Sequence, residues 1–204
     1  MRFRRLEEED FLERSISMHL LSRFSRWQLG TSRGLDTFVR KHLRDEGRFG
    51  DYRFVFHRGK PKTWLHAGIF CDGEYTIILA RKVFGPFRDD IACISFHSPT
   101  IRNLVAEPGV IEVVQIQGVE RKEQELKTLR WDRMLLEMLT ILARESGFAE
   151  VRVQASRQNP WLQCVRDPDL YTKRKKVFHL RYDVLPKRMG FTPGEQYHTL
   201  MLKP

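Results

Sequence analysis

The chain has 204 residues, of which 41% are hydrophobic, and this suits one large domain or one domain with an appendage. No apolar run approaches the roughly 18 residues of a membrane span, and the N-terminal sequence MRFRRLEEED lacks the apolar segment of a secretory signal, so we expect a cytoplasmic protein with no membrane partner. The net charge of +10 favours a polyanionic partner, such as nucleic acid, an acidic protein, anionic lipid or a multiply phosphorylated cofactor.

Residues 8–46 predict two helices. The apolar side chains of the first half recur at three- and four-residue spacing, which makes one apolar stripe. The segment LGTSRG interrupts this stripe, and Thr31 or Ser32 can cap a second helix that runs through Leu43.

From Asp51 to about Gln117 the sequence predicts short strands separated by turns. These strands are, in chain order, YRFVF, TWLHAGIF, YTIILARKV, IACISFH and VIEVVQIQ. Residues typical of turns, such as Gly and Pro, bound them. The region is therefore expected to form an antiparallel meander.

The clearest helix of the sequence begins near Trp131 and ends at Gly147. Its apolar face consists of Trp131, Met134, Leu135, Met138, Leu139 and Leu142. The strand AEVRVQAS follows directly. A strand, a helix and a strand in this order form a βαβ unit, so we expect VIEVVQIQ and AEVRVQAS to pair in parallel.

The last third predicts a loop over residues 157–172, a helix over KRKKVFHLRYDVL that ends close to Pro186, and a final strand at YHTLMLK. The fold class is therefore α/β or α+β, with a mixed, mostly antiparallel sheet flanked by helices. We expect a single domain over residues 1–204. It divides into a helical part (1–47), antiparallel strands (51–118) and a βαβ-helix-strand half (119–204).

The second half resembles the GNAT-type N-acetyltransferases. The segment GVIEVVQIQGV is similar to the family's central strand, and LKTLRWDRMLLEMLTILARESGFAEVRVQAS is similar to its cofactor helix and next parallel strand. Asn159 stands where the family often has an Asn after that strand. The pair Gly190–Phe191 is the most specific local match, because the family ends its last helix with Tyr-x-x-x-Gly-Phe.

The resemblance implies an acyl-CoA-dependent N-acyltransferase that uses acetyl-CoA or another acyl-CoA and an unknown amine. The best candidate for the general base is Glu112 on the central strand, with an ordinary surface glutamate at a strand end as the alternative. Tyr182 is the candidate for the acid that protonates the leaving thiolate, with a half-buried packing residue as the alternative. The coenzyme would be held by Gln117, Val119, Lys127 and Arg130. In that family, backbone N–H groups of a glycine-rich loop and a helix N-terminus meet the pyrophosphate.

The chain departs from the family pattern at two places. Arg130 and Asp132 stand where the family has small residues, and Asp132 adds an anion where a phosphate would lie. The segment LKTLRWDRMLL can therefore be an ordinary helix start, with Asp132 favoured by the helix dipole. In addition, Pro186 stands at the family's Tyr position, and Tyr182 can reach the same cleft only if its helix continues through Leu185.

A basic cluster supports an alternative function. Lys173, Arg174, Lys175 and Lys176 are consecutive, and aromatic residues are interleaved with them, a composition that suits phosphate contacts beside base stacking. The alternative is a non-enzymatic GNAT-fold module that binds nucleic acid or an acidic partner through this helix. The ordinary interpretation of the same pattern is a solvated helix face with an aromatic edge on the core, and the sequence favours that interpretation.

No metal site is expected. Cys71, Cys93 and Cys164 are far apart, which excludes a CxxC metal pair and a recognisable disulfide framework. The histidines show neither an HExxH pattern nor a helical His–His pair. The sequence also lacks the Gly-x-Ser-x-Gly elbow of a serine hydrolase.

Overall fold

The structure is a computed structural model, and its described residues form a six-stranded sheet in which neighbouring strands follow one another in chain order. It describes residues 20–29, 31, 37–43, 50, 52–58, 69, 72–82, 88–98, 109–119 and 122–202. The α+β class and the mostly antiparallel mixed sheet flanked by helices are confirmed. None of the helices in these ranges has the length and apolar content needed to cross a bilayer.

The first four strands form the expected antiparallel meander. They are β1 (Tyr52–Arg58), β2 (Tyr75–Lys82), β3 (Arg88–His97) and β4 (Val110–Gly118). The predicted strand TWLHAGIF lies outside the described residues apart from Ile69, which is buried and belongs to no strand. The predicted start of the first N-terminal helix is also outside the described residues.

The crossover from β4 to β5 contains two helices. Helix α1 (Glu123–Leu129) leads directly into α2 (Trp131–Glu145), and β5 (Glu150–Gln154) pairs in parallel with β4. The predicted helix, its end at Gly147 and the parallel pairing are confirmed. Gly147 has a φ of 81°, a left-handed conformation that glycine adopts without steric cost.

The chain after β5 is more helical than its sequence suggests. Residues 157–172 are not one loop, because they contain α3 (Pro160–Gln163) and the start of α4 (Pro168–Phe178). Helix α4 continues through a π-helical stretch (His179–Val184) into α5 (Leu185–Arg188). The last strand, β6 (Tyr197–Met201), pairs antiparallel with β5 and confirms the expected final strand.

One face of the sheet carries the main hydrophobic core. Helix α2 covers this face with a stripe of buried side chains that includes Met134, Leu135 and Met138. From the N-terminal region, residues 20–26 are helical, and Leu20 packs in the same core. The division of residues 1–204 into one domain with three parts stays a prediction.

A β-bulge in β4 changes which residues face this core. Against β3, Ser95 pairs with Gln115 and Phe96 pairs with Val113, so Val114 is an extra residue in β4. Ile111 and Val113 lie in the main core, and Ile116 joins them three positions later. A regular strand would place its next core residue two positions later. The bulge therefore bends the central strand beside Val114.

Candidate functional site

The candidate site is a cleft where the two parallel strands separate. Pairing of β4 with β5 runs from Val110, opposite Glu150, to Val113, opposite Val153. Beyond this point β4 continues to Gly118, whereas β5 ends at Gln154. The backbone of β4 from Val114 to Ile116 therefore faces a gap in the sheet, which we call the β4–β5 cleft.

Side chains from the later helices fill the β4–β5 cleft. The Tyr182 hydroxyl accepts a hydrogen bond from the Ile116 N–H at 2.7 Å, and Arg181 donates from Nη1 to the Ile116 carbonyl at 3.1 Å. The Asn159 amide nitrogen lies 3.5 Å from the Val114 carbonyl oxygen. An unpaired buried backbone group costs about 1–3 kcal/mol. These side chains therefore stabilise a strand edge that β5 no longer covers.

Tyr182 reaches the cleft because its helix continues past it, as the sequence analysis required. The side chain is buried, stacks on Phe178 with ring centroids 5.3 Å apart, and packs in the main core. Burial raises the pKa of the Tyr182 hydroxyl to about 12, so the group stays protonated at neutral pH. Beside it, the Arg181 guanidinium lies 4.7 Å from the Trp131 ring.

The predicted base, Glu112, does not lie beside the Tyr182 hydroxyl. Glu112 lies four residues before Ile116 on β4, which corresponds to about 13 Å along a strand. Its carboxylate is 3.8 Å from the Arg152 guanidinium, and both side chains are half-buried. Glu112 and Tyr182 are therefore not brought together on one reacting atom in this structure.

Two predicted coenzyme contacts face away from the cleft. The Val119 N–H donates to the Ile91 carbonyl at 2.9 Å. Gln117 is paired with Cys93 of β3. The backbone N–H and C=O groups of successive residues in a strand point to opposite sides. Since those of Ile116 point into the cleft, the N–H and C=O of Gln117 point toward β3. Neither residue presents a backbone amide to the cleft.

The predicted pyrophosphate site is a helix junction. Lys127 and Arg130 are both exposed, and Arg130 joins α1 to α2 with a left-handed φ of 44°. The Asp132 carboxylate accepts a hydrogen bond from the Arg133 N–H at 2.8 Å. It therefore occupies one of the amides that a phosphate at the start of α2 would use.

Helix α1 is fixed to the sheet at this junction. Its Glu125 carboxylate accepts a hydrogen bond from the Tyr52 hydroxyl and lies 3.3 Å from the Arg81 guanidinium. A Cβ on Gly118 would lie 2.7 Å from a Leu126 methyl carbon, which leaves no free space under the helix. The segment that the resemblance assigns to a glycine-rich loop is therefore packed and helical.

In this structure Tyr182 and Arg181 bond the backbone of Ile116 in the cleft, and the Asp132 carboxylate lies in the first turn of α2. A ligand that pairs with β4 in the cleft would replace the first two contacts. The predicted roles of Glu112 and Tyr182, and the predicted coenzyme contacts, stay predictions.

A polar cluster that the sequence analysis missed anchors the same helix. The Asp183 carboxylate accepts hydrogen bonds from the Ser156 N–H at 3.0 Å and from its hydroxyl at 2.6 Å. It also lies 2.9 Å from His179 Nδ1 and 3.0 Å from His198 Nε2. Burial alone would raise the pKa of Asp183, but the hydrogen bonds from Ser156 and the two histidines lower it to about 2. The sequence signal that could have indicated this cluster is the i, i+4 spacing of His179 and Asp183 on a predicted helix.

The predicted basic cluster lies on a helix that buries none of its eleven residues. Lys173, Lys175 and Lys176 are exposed, and Arg174 is half-buried. Large apolar side chains are exposed beside them, namely Trp161, Leu170, Tyr171, Val177 and Leu180. We call the exposed residues of α4, with Trp161 of the adjacent α3 and Leu180 just past its end, the α4 surface.

No group of three or more His, Cys, Asp or Glu side chains with metal-binding geometry occurs in the described part of the chain.

Comparison with known proteins identifies no family for this chain. No family model matches it, and no curated protein matches it. Among solved structures, a chain of the crystal structure of the KacTA–DNA complex aligns over 82% of this chain and 77% of its own length, with 11% sequence identity and a TM-score of 0.31. The strand order and the parallel pair β4–β5 are consistent with a GNAT-like α+β fold.

Proposed function

We propose that this chain is a non-enzymatic binding module that holds single-stranded nucleic acid on the α4 surface. One observation carries the proposal: an eleven-residue helix with four consecutive basic residues has no buried side chain. Helices of a folded domain ordinarily bury an apolar stripe. Leu170, Tyr171 and Val177 of α4 are instead exposed, and Phe178 at its end is only half-buried against the core. Exposed apolar side chains beside charges fit a surface that a partner covers.

Charge and ring chemistry favour nucleic acid over an acidic protein as the partner. Lys173 and Lys176 lie one helical turn apart, so both can contact neighbouring phosphates. Trp161 and Tyr171 have 47% and 37% of their surface exposed. Exposed aromatic rings beside cations are the elements with which proteins stack bases and hold a single strand. The net charge of +10 adds long-range attraction for a polyanion.

The side chains that fill the β4–β5 cleft also hold the C-terminal end of α4 in a fixed position. Arg181 and Tyr182 attach the end of the helix to β4, and Asp183 attaches it to Ser156 and His198. A platform held at its end loses little conformational freedom when a strand binds, and this preorganisation favours affinity. The contacts that fill the β4–β5 cleft therefore also hold the binding surface in place.

The test is fluorescence anisotropy with labelled single-stranded RNA and DNA oligonucleotides. We expect the double variant Lys173→Glu, Lys176→Glu to weaken binding at least about tenfold, because it replaces two phosphate contacts with repulsion. Lys127→Glu, which changes an exposed charge on α1, is the matched control and should have a much smaller effect. Equal affinity of the double variant and the wild type would contradict the proposal. So would binding of an acidic peptide in preference to either oligonucleotide.

A second candidate function is acyl-CoA-dependent N-acyl transfer to an unknown amine. The separation of β4 and β5 after Val113 favours it, because a gap between parallel strands is where the resemblance expects the coenzyme. In this candidate Glu112 is the base, Tyr182 is the acid, and Lys127 with Arg130 holds the pyrophosphate. It requires Tyr182 and Arg181 to leave Ile116.

Thermal melting with acetyl-CoA separates the two candidates. A ligand that binds only the native state at 100 times its dissociation constant stabilises it by about 2.7 kcal/mol. The binding-module proposal predicts that any shift of the melting temperature at millimolar acetyl-CoA is unchanged by Arg130→Ala. A clear upward shift that Arg130→Ala abolishes would support the acyltransferase candidate instead.

A further inference from the structure

A groove of about 400 Å³ lies between α2, the end of α5 and β6, and it shares no lining residue with the β4–β5 cleft or the α4 surface. Helix α2 supplies five of its lining residues, and the remainder come from the end of α5, the residue after it and β6. The lining residues are Arg133, Glu137, Thr140, Ile141, Arg144, Arg188, Met189 and Leu200. A volume of several hundred Å³ is typical of sites for small organic ligands.

The groove has an excess of positive charge. Arg133 is the only one of its three arginines with a carboxylate partner among the described residues, since its Nε lies 3.5 Å from Glu137 Oε2. Arg144 and Arg188 are exposed and have no ion pair within the described part of the chain. Two unpaired guanidinium groups in one groove are the side chains that proteins use to hold a phosphate.

The groove also presents a buried carboxylate oxygen, Glu137 Oε2. The Arg133 guanidinium lies 3.5 Å away and balances its charge, but the oxygen accepts no hydrogen bond from the described residues. A buried carboxylate oxygen without a donor costs free energy, so a ligand with hydroxyl or amino donors would be stabilised there. Glu137 and Arg144 are seven residues apart on α2, or about 10 Å along its axis.

Between these polar ends the groove has an apolar lining. Ile141 is largely buried, and Met189 and Leu200 are half-buried. A flat ring can pack on such side chains, and the methionine thioether adds favourable contact with an aromatic ring. The groove therefore combines a cationic end, an apolar middle and an acceptor about 10 Å from the cationic end.

We propose that this groove binds a nucleoside monophosphate. Its phosphate contacts Arg144 and Arg188, its base packs on Ile141 and Met189, and a hydroxyl or amino group donates to Glu137. The proposal does not depend on the nucleic-acid function of α4. Two kinds of ligand carry a nucleoside monophosphate group: a free nucleotide and the 5′-phosphorylated end of a nucleic-acid strand.

Calorimetric titration with AMP tests this site. We expect AMP to bind at least about tenfold more tightly than adenosine or inorganic phosphate alone, because each lacks one part of the combination. The double variant Arg144→Gln, Arg188→Gln should lose at least about tenfold in AMP affinity. Lys173→Glu, Lys176→Glu should bind AMP as the wild type does. Absence of AMP binding at millimolar concentration, binding of phosphate as tight as that of AMP, or full AMP affinity in the arginine variant would overturn the proposal.

Oligonucleotides with either a 5′-phosphate or a 5′-hydroxyl identify the source. If the groove takes a strand end, the 5′-phosphate increases affinity, and this increase disappears in the arginine variant. If the ligand is a free nucleotide, the two oligonucleotides bind alike while AMP still binds in the groove. Binding of the 5′-hydroxyl oligonucleotide reports on the α4 surface alone, so failure of this site and failure of the nucleic-acid function are distinguishable.

Discussion

At the scale of single residues, Tyr182 connects the hydrophobic core to the β4–β5 cleft. Its ring is part of the core, and its hydroxyl pairs with a backbone amide that no strand covers. The sequence identified Tyr182 and the condition under which it reaches the cleft. It did not identify the partner, because Ile116 is 66 positions away and lies beyond a bulge that the sequence pattern does not reveal.

We expect Tyr182→Phe to lower the free energy of unfolding by about 1–3 kcal/mol, because the substitution leaves the buried Ile116 N–H without its acceptor. Stacking on Phe178 is retained, so the core itself keeps its shape. Urea unfolding measures the change. Tyr171→Phe removes an exposed hydroxyl and should stay within about 0.5 kcal/mol of the wild type. Equal effects of the two substitutions would show that the hydroxyl does not pair with β4.

Asp183 makes the stability of the protein depend on pH. Its pKa in the folded state is about 2, below the ordinary value of 3.8, so folding favours the ionised carboxylate. This stabilisation is present above about pH 4 and is lost as the pH falls toward 2. Asp183→Asn should therefore be less stable than the wild type at pH 7, and the difference should shrink steadily below pH 4. A difference that is constant from pH 7 to pH 2 would contradict the hydrogen-bonded carboxylate.

At the scale of elements, sequence periodicity predicted the strands and α2 well, because a buried apolar face leaves a regular spacing. The loop expected over residues 157–172 was wrong for an equally physical reason. Pro160 and Pro168 indicated a loop, yet each occupies the first turn of a helix, where its missing N–H costs nothing. The caps Asn159 and Asp167 precede these prolines directly and were the signal that could have identified both helices.

The junction between α1 and α2 gives a prediction at this scale. Arg130 has a φ of 44°, in a region that costs a residue with a Cβ roughly 1–2 kcal/mol. Arg130→Gly should therefore raise the free energy of unfolding, by about 0.5–1 kcal/mol after the greater chain entropy of glycine is included. Chemical denaturation measures this gain. Arg133→Gly, inside α2, is the matched control and should lower stability by about 1 kcal/mol. A loss of stability in both variants would contradict the left-handed junction.

At the scale of the whole molecule, the sequence predicted the fold class and the parallel β4–β5 pair, but not the state of the cleft. Side-chain type alone cannot show that Arg181 and Tyr182 reach across to Ile116, since that depends on how a π-helical stretch directs them. Net charge is likewise a property of the whole molecule. It favours polyanions in general, and the exposed α4 surface is where we expect a polyanion to bind.

The central claim is that α4 holds single-stranded nucleic acid through phosphate contacts, and the salt dependence of binding tests it most directly. The dissociation constant of a 5′-hydroxyl oligonucleotide would be measured over a range of salt concentrations. The association constant is the reciprocal of this quantity. Each phosphate contact to a single strand contributes about −0.7 to the slope of the logarithm of the association constant against the logarithm of the salt concentration. Two to four contacts from α4 therefore predict a slope between about −1.4 and −2.8, and Lys173→Glu, Lys176→Glu should make this slope less negative. A slope near zero, or one that the double variant leaves unchanged, would contradict the account.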